Sequence, residues 1–557
     1  AVASAPTDGT AITIRLDADI IVPDNITIAE GQRVVLDMNG HKMTPSDSLA
    51  GRFVINNGDL VVTGDGTMDS SGNYPNAYGS VDTYGSTLVE SGTFVGNTDC
   101  LAANLYCRTG ATLVVDGGSF SGSCTAISSD GELTINGGYF ESPWYPAIEA
   151  NGVTVINDGE FVNTSCSSCD KDHWGYTIRN GRNSDEATMT INGGIVKGIQ
   201  GGITTIGGML TINDVDVTVD RCENDHNAVF YALYVAGESY DTSCVVNGGT
   251  FTSSERTAVF VGNSGSDGGD KEHATCEING GTFTGQDKLH VDEELGGLLL
   301  TGGDYNQPLD AAFIKDGSYA MVYDGGEMWT VDTDEELLGR GAQAYVDDAD
   351  GTRTYYETAE DAEAAVAGDP TLSLTTVSYD ISIAPVVDGV DTEIATDVPN
   401  RTGLAELADA LDAKAAEIDA ALKGSGYEFG GWYLDKELTV PLGDDASVLG
   451  GDVMLYPKLV QISGETGDGE QGSTGDENEN ANQDAGGETG DGTGEDGTNE
   501  NATGNENGSG GIGENEMGDA VDVDDIMQTG VASVAPVIGV GAVLSGIGAL
   551  GSKLIGK

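Results

Sequence analysis

Short runs that alternate apolar and polar residues fill most of the first 331 residues, and the runs repeat. An NGGxF-like word recurs, and the residues seven and five places before its last residue are largely apolar. The closing residues of this word are Phe94, Phe120, Phe140, Phe161, Val196, Val217, Phe251, Phe283 and Tyr305. The basic unit is about 21 residues long, with longer gaps where insertions intervene. Alternation with period two predicts strands that bury one face.

A second strand follows in each unit, at pairs such as Ala126-Ile127, Ala147-Ile148 and Ala258-Val259. Two or three short strands per unit, with like residues stacked on like, predict a parallel β-helix. A polar residue recurs four places before the closing residue, at Asp116, Asn136, Asn157, Asn192, Asn213, Asn247 and Asn279. This column suits an internal amide ladder at the turns, where glycine permits positive φ.

The opening segment supports the same architecture by resemblance. The words VVLDMNG and LVVTGDGTM resemble the first turns of right-handed parallel β-helix (pectate-lyase-like) surface proteins of bacteria. With the NGGxF words, this resemblance covers residues 8–331. It implies a right-handed solenoid, which we assign to residues 1–331.

The pattern changes after the solenoid. Residues 332–370 are acidic and alanine-rich and are expected to form a connector with a strand and a short helix. In 371–460 a β-rich run precedes an apolar helical stripe, which Gly424 ends. The stripe consists of Leu404, Leu407, Leu411, Ile418 and Leu422.

The end of this segment, GYEFGGWYLDKELTVPL with GGDVMLYPKLV, resembles the internalin-type B repeat (Listeria–Bacteroides repeat). The matching residues are Gly426, Tyr427, Phe429, Gly431, Trp432, Tyr433, Leu438, Thr439, Leu455, Tyr456 and Lys458. Leu459 stands where such repeats usually have Trp, and the long helix is unusual. The resemblance implies a small β-grasp-like α+β module that acts as a surface spacer or protein contact. The fold class is therefore mainly β.

Two further segments complete the predicted organisation. Residues 461–525 are acidic and rich in Gly, Asn and Thr, contain no Lys or Arg, and predict a disordered stalk. Residues 526–557 combine a pentapeptide, an uncharged run and terminal lysines, which resembles a Gram-positive sorting signal and hydrophobic membrane helix. The pentapeptide is Ile526, Met527, Gln528, Thr529 and Gly530, and it lacks the proline of LPxTG. A simple membrane anchor is the alternative.

Charge excludes one class of partner. The chain has 92 acidic and 23 basic side chains, a net charge of -69. So acidic a surface repels nucleic acid, and we expect no nucleic-acid partner.

The eight cysteines could form disulfides, remain as thiols or bind a metal ion. Cys244 and Cys276 open two copies of one word and fall in an inward column, so they form either a disulfide, slightly favoured, or two buried thiols. Further disulfide candidates are Cys100, Cys124, Cys166, Cys169 and Cys222, with Cys107 as a competitor for Cys100 and Cys124. In an oxidising compartment disulfides are favoured. The alternative is zinc, held by Cys166, Cys169, Cys222 and His226, with His173 close by. No cofactor is assigned; acidic loops such as 263–272 leave Ca²⁺ open.

One flank of the predicted solenoid carries aromatic residues that suit stacking on sugar rings. Its candidate ligand-binding residues are Trp144, Tyr145, Trp174, Tyr176 and Arg179, with local loop packing as the alternative. No segment combines acids, a base and an aromatic in a pattern that names a catalytic residue. The favoured function is a cell-wall- or membrane-anchored extracellular adhesin of a Gram-positive bacterium, which binds glycan or a surface protein of a host or neighbouring cell. The alternatives are a surface polysaccharide lyase or glycoside hydrolase and a structural surface-layer component.

Overall fold

The computed structural model describes residues 1–49, 51–72, 77–96, 103–122, 124–164, 175–220, 231–237, 240–262, 272–292 and 294–462. They form two compact units. The first comprises 1–380, 395–406 and 444–452, and the second comprises 381–394, 407–443 and, within the described part, 453–462. The sorting-signal-like pentapeptide, the uncharged run after it and nearly all of the predicted stalk lie outside the described residues.

Three long parallel sheets build most of the first unit. Strands are numbered in chain order. Sheet 1 contains β1 (Ala11–Arg15), β4 (Arg33–Asp37), β7 (Asp59–Thr63), β10 (Ser86–Val89), β13 (Thr112–Val115), β16 (Glu132–Ile135), β19 (Val153–Ile156), β22 (Thr188–Ile191), β25 (Gly208–Ile212), β28 (Thr242–Val246), β31 (Ala274–Ile278) and β34 (Gly296–Leu300). Sheet 2 contains β2 (Ile20–Val22), β5 (Lys42–Pro45), β8 (Thr67–Asp69), β11 (Thr93–Val95), β14 (Ser119–Ser121), β17 (Tyr139–Ser142), β20 (Glu160–Asn163), β23 (Ile195–Gly198), β26 (Asp216–Val219), β29 (Thr250–Ser253), β32 (Thr282–Thr284) and β35 (Gly303–Tyr305). Sheet 3 contains β3 (Ile26–Ile28), β6 (Gly51–Asn56), β9 (Ala77–Thr83), β12 (Ala103–Cys107), β15 (Thr125–Ser129), β18 (Ile148–Ala150), β21 (Tyr176–Asn180), β24 (Gly201–Thr205), β27 (Tyr231–Val235), β30 (Val259–Val261) and β33 (His290–Val291).

Within each sheet, a strand pairs with the strand three places along the chain. Each turn of the chain therefore adds one strand to every sheet. This is compatible with the predicted β-helix solenoid, and it has three strands per turn where the sequence indicated two or three.

The interior of the solenoid is a set of columns of like residues. The closing residues of the NGGxF-like words face inward from sheet 2 and are almost completely buried. Successive rings of Phe94, Phe120, Phe140 and Phe161 are stacked with centroids 4.7, 5.0 and 5.0 Å apart. The stack resumes at Phe251 after two valines in the same column. The inward face that was predicted from the residues seven and five places earlier is confirmed on sheet 1, where Leu113 and Val115 of β13 are buried.

The amide ladder also forms, but on the exterior. From Asn136 to Asn279, each side-chain Nδ2 donates to the Oδ1 of the residue in the turn before, at 2.7–3.0 Å. Asp116 accepts at one end, and the Thr301 hydroxyl donates to Asn279 at the other, at 2.6 Å. The expectation of an internal ladder is wrong because these side chains are exposed. The turns point them outward, away from an interior that the aliphatic and aromatic columns fill.

The second glycine of the NGG word is required by the turn. Gly138 has φ of 122°, and a Cβ there would lie 3.1 Å from the carbonyl oxygen of Gly118. Residues with a Cβ rarely adopt such an angle, so the word keeps glycine at this place.

The predicted connector belongs to the first unit and extends sheet 2. Within 332–370 lie helix α1 (Asp334–Gly339), β38 (Ala344–Asp347), β39 (Arg353–Tyr356) and helix α2 (Ala359–Val366). The strands β36 (Ser318–Tyr323) and β37 (Met328–Thr333) begin before this segment, and β40 (Ser373–Thr376) follows it. Strand β37 pairs antiparallel with β35, and the expected strand and short helix appear as β39 and α2. A buried cluster around Tyr355 and Leu337 gives this region its own small core.

Residues 378–462 contain a helix and a four-stranded sheet. Helix α3 (Ala408–Ala421) starts after a 3₁₀ turn at Leu404–Leu407, which takes up the start of the predicted apolar stripe. Strands β41 (Ser378–Ile383), β42 (Glu393–Pro399), β43 (Tyr427–Tyr433) and β44 (Val453–Gln461) form a sheet in the order β42-β41-β44-β43. The GYEFGGWY word forms β43, where the ring centroids of Phe429 and Trp432 are 4.7 Å apart. In the described part of the chain, no helix is both long and apolar enough to cross a membrane.

We expect Phe140→Ala to lower the free energy of unfolding by about 3–5 kcal/mol, because it removes a ring that is stacked on both sides and leaves a cavity. Urea denaturation of the purified protein measures the change. Val153→Ala is the control: Val153 is 52% exposed on the outer face of sheet 1, so its loss should cost about 0.5 kcal/mol or less. Equal effects of the two substitutions would contradict an interior column at Phe140.

Candidate functional site

The outer face of sheet 3 differs from an ordinary solvated face. Along each strand, residues next to the inward aliphatic side chains point outward and lie beside their equivalents in neighbouring turns. We call this set the outer column; it consists of Asp82, Tyr106, Ser128, Glu149, Arg179, Thr204, Tyr234, Phe260 and His290. Five of its members are buried although they lie outside the solenoid core: Asp82, Arg179, Thr204, Tyr234 and Phe260.

The first end of the outer column is a network of charged and phenolic groups. Arg108 binds the Asp82 carboxylate with both Nε and Nη2, at 2.7 and 2.8 Å, and its guanidinium lies 3.8 Å from the centre of the Tyr106 ring. The Tyr106 hydroxyl donates to Asp130. Burial and this hydrogen bond raise the pKa of Tyr106 to about 12, so the phenol stays protonated and acts as a donor at neutral pH.

Arg52 lies beneath this network and is buried. It donates to the backbone carbonyls of Ala103 and Asn104, and its Nε is 3.9 Å from Asp82. Burial lowers the pKa of Arg52 to about 10, against the opposing effect of Asp82. Asp82 therefore neutralises two guanidinium groups, one buried and one near the surface.

The middle of the outer column holds a second ionic group. Arg179 Nη2 lies 3.0 Å from Glu149, and Arg182 Nη1 lies 3.6 Å from the same carboxylate oxygen. Arg179 is buried, whereas the side chain of Arg182 is about half exposed. Thr204 follows in the next turn, and its buried hydroxyl has no hydrogen-bond partner among the described residues. The middle therefore offers an accessible cation, Arg182.

The far end of the outer column is aromatic. The ring centroid of Tyr176 is 5.4 Å from that of Tyr234, and Phe260 lies between Tyr231, at 4.9 Å, and His290, at 4.6 Å. A Cβ on Gly201 would lie 2.4 Å from the Tyr176 ring, so glycine is needed at this place. Tyr176, Tyr234 and Phe260 are buried, which leaves half-buried Tyr231 and exposed His290 accessible.

Sequence reasoning located this flank only in part. Tyr176 and Arg179 lie on one strand of the outer face, in β21. Trp144 and Tyr145 are half-buried in the turn before β18. The backbone N–H of Tyr145 donates to the carbonyl of Cys124, and the side-chain amide of Asn163 donates to the carbonyl of Tyr145. Trp174 lies outside the described residues.

The other residues of the outer column were not predicted from the sequence. A signal for them exists: in words such as ALYV and AVFV, an aromatic directly follows the inward aliphatic residue of the third strand. With period two, that aromatic has to point outward. This position lies outside the NGGxF words, which identify only the strands of the first two sheets.

The two repeated cysteines lie opposite each other, in register, on β28 and β31. The structure has Cys244 and Cys276 as buried free thiols, not as the slightly favoured disulfide. In-register neighbours on parallel strands keep their Cβ atoms about 4.8 Å apart, beyond the roughly 3.5–4.5 Å that a disulfide needs. The hydrogen bond that Cys244 donates to Cys276, together with burial, raises the pKa of Cys244 well above its usual value.

The remaining cysteine predictions are open. Cys124 is buried, and so is Cys107. Cys100 and the alternative zinc ligands Cys166, Cys169, Cys222 and His226 lie outside the described residues, as does His173.

One group of described residues could hold a metal ion. Asp241, Glu272 and His273 each offer a ligand atom, and these atoms lie within 4.8 Å of one another. The backbone amide of His273 donates to Asp241 at 3.2 Å. Asp241 and His273 are exposed, as is usual for solvated residues of an acidic surface, so we assign no cofactor. The adjoining 263–271 segment, part of the loop for which Ca²⁺ is a candidate, lies outside the described residues.

The chain matches no protein-family model, no curated protein and no solved structure to which it was compared.

We expect Asp82→Asn to lower the free energy of unfolding by about 3 kcal/mol, because it leaves the buried Arg52 without its counter-charge. Chemical denaturation measures the loss. Asp216→Asn, on the exposed face of sheet 2, is the matched control and should change the value by about 0.5 kcal/mol or less. If the two substitutions cost the same, Asp82 does not neutralise a buried guanidinium.

We expect both thiols of Cys244 and Cys276 to resist iodoacetamide in the folded protein, because both side chains are buried. After denaturation without reductant, both should be alkylated, and peptide mass spectrometry measures the modification. Two unmodified cysteines joined in one peptide pair would instead show a disulfide. Denaturation in the presence of reductant, followed by alkylation, is the control for complete alkylation.

Proposed function

We propose that this protein is displayed at a cell surface and binds an extracellular glycan along the outer column of sheet 3. The observation that carries the proposal is the content of this column: ion pairs at one end, an accessible cation in the middle and stacked aromatic rings at the other end. Sites for small polar ligands combine apolar or aromatic surface with a few placed polar groups.

The aromatic end supplies the packing surface. Tyr231 and His290 present accessible rings, and the buried Phe260 between them holds both in place. A sugar ring has an apolar C–H face that packs on an aromatic ring, and a tyrosine adds a hydroxyl for hydrogen bonding. Burial raises the pKa of the Tyr231 phenol, so its hydroxyl stays protonated and can donate a hydrogen bond at neutral pH.

The ionic end and the middle of the outer column supply the groups that would orient the ligand. Arg108 and Arg182 have side chains that are 35% and 48% exposed, although both are held by carboxylates. A guanidinium held in this way keeps unused N–H donors in a fixed direction, which suits hydroxyl or carboxylate groups of a sugar. Because strands in a sheet are about 4.8 Å apart, a linear ligand along the column would meet a new side chain at each turn.

The surface location rests on resemblances. We propose that the three-sheet solenoid is a right-handed pectate-lyase-like β-helix and that 371–460 is an internalin-type B-repeat-like module. Residues 461–525 would form the stalk, and 526–557 the anchor in a cell wall or membrane of a Gram-positive bacterium. In this arrangement the solenoid stands away from the envelope, as a ligand-presenting adhesin requires; the glycan would belong to a host or neighbouring cell. A surface protein of such a cell is an alternative partner.

A second candidate is an enzyme that cleaves the same glycan. It is favoured by one observation, the close association of two arginines, a tyrosine and two carboxylates around Tyr106. A structural surface-layer role would need no ligand at all.

Binding of the full chain to a glycan array, followed by titration of the best glycan, tests the proposal. We expect Tyr231→Ala and His290→Ala each to weaken binding by about tenfold, because each removes a stacking surface of about 1.5 kcal/mol. Tyr139→Ala is the matched control: it is a half-buried tyrosine on the outer face of sheet 2 and should leave affinity unchanged.

A reducing-sugar assay with the same glycan separates the candidates. Product release that needs Tyr106 or Arg108 would favour the enzyme. Binding that is unaffected by Tyr231→Ala and His290→Ala would overturn the assignment to the outer column. Absence of both binding and product release would favour the structural role.

A further inference from the structure

The ionic groups of the outer column come close to cancelling one another, although the chain as a whole carries a net charge of -69. These groups belong to Arg52, Arg108, Arg179, Arg182, Asp82, Asp130 and Glu149. Four guanidinium groups therefore face three carboxylates. The paired ionic groups at this site thus carry little net charge.

The two accessible guanidinium groups are already paired with carboxylates of the protein. Arg108 makes two N–H···O bonds to Asp82, at 2.7 and 2.8 Å, through its Nε and Nη2. Arg182 lies 3.6 Å from Glu149, which the buried Arg179 also contacts. Because these carboxylates neutralise both cations, a carboxylate of a ligand gains little by approaching either of them. The N–H groups that remain on each guanidinium can still donate to a neutral hydroxyl.

The ionic end also offers hydrogen-bond acceptors. The Tyr106 hydroxyl donates to Asp130, so its oxygen keeps a lone pair with which to accept. Asp130 is half-buried and also accepts from the side-chain amide of Asn151 at 3.0 Å. A sugar hydroxyl can donate to such an oxygen and accept from Arg108 at the same time. An ionised carboxylate or sulfate has no proton to donate, and Asp130 would repel it.

We propose that the outer column binds uncharged glycans and discriminates against glycans with carboxylate or sulfate groups, and that Asp130 and Glu149 set this specificity. The inference rests on the proposed function, since it concerns the same site and names the class of glycan. Asp130 and Glu149 belong to neighbouring turns, in which β15 pairs with β18. A linear polyanion along the column would therefore meet a negative charge at two successive turns. The acidic surface of the molecule adds repulsion at longer range.

Matched pairs of glycans test the specificity. Each neutral hexose oligosaccharide on an array is printed beside the same oligosaccharide with its primary alcohols oxidised to carboxylates, which keeps the linkage. We expect the full chain to bind the neutral member at least about tenfold more tightly, because the added carboxylates face Asp130 and Glu149. Titration of that pair at about 0.05 and 0.5 M NaCl should leave the neutral affinity unchanged and strengthen binding of the oxidised form, since salt screens the repulsion.

A matched pair of variants tests the assignment to Asp130. Asp130→Asn removes one negative charge and keeps an oxygen that accepts from Tyr106, and we expect it to narrow the preference for the neutral glycan about threefold. Asp216→Asn changes the net charge equally, lies on the exposed face of sheet 2 and should leave the preference as it is. Glu149→Gln repeats the test at the neighbouring turn and replaces Asp130→Asn if that variant does not fold.

The possible outcomes separate this specificity from glycan binding itself. Oxidised glycans that bind as tightly as their neutral partners, or more tightly, would overturn the specificity and leave the proposed function in place. An equal effect of Asp130→Asn and Asp216→Asn would also overturn it, because the total charge of the chain would then set the preference. Absence of binding to every glycan of the array would overturn the proposed function, and this inference with it.

Discussion

The structure depends on the backbone hydrogen bonds that hold each turn of the solenoid in register with the turn before. Because the register is preserved, every side chain lies beside its equivalent, as Phe120 lies beside Phe94 and Phe140. The residue type at each position therefore has to suit contact with the same or an equivalent residue in the next turn. Flat rings stack, aliphatic side chains pack, and amides hydrogen-bond in chains, whereas like charges in one column would repel each other.

The same constraint explains what could be predicted from the sequence. Interior columns recur with one residue class at fixed places before the closing residue of each word, so the alternation alone places Leu133 and Ile135 on the inner face. The outer column has no such uniformity: its neighbours Arg179, Thr204 and Tyr234 differ in class, because solvent and ligands impose no common requirement. Its residues can be identified only by their place in the strand, directly after the inward aliphatic residue.

Which side chains lie next to each other was easier to predict than the kind of bond or contact that they form. The repeated word placed Cys244 beside Cys276, as the structure has them, but the choice between a bond and two thiols depends on the distance between two parallel Cβ vectors. The side on which the amide ladder lies was likewise undetermined by spacing, because a turn residue can point to either side of the wall. Contacts between turns follow from periodicity, whereas local backbone direction does not.

The ladder has a direction as well as a length. From Asn136 to Asn279 every side-chain N–H points toward the first turns, so the amide dipoles add along the solenoid axis, as peptide dipoles do in a helix. The positive end of this sum lies at Asp116, where a carboxylate replaces the amide. The Asp116 carboxylate places a negative charge where the dipole favours one. Because a carboxylate has no N–H group, it accepts from Asn136 without needing an acceptor of its own in the turn before. The turns at either end of the ladder are thus electrostatically distinct, although their backbones are alike.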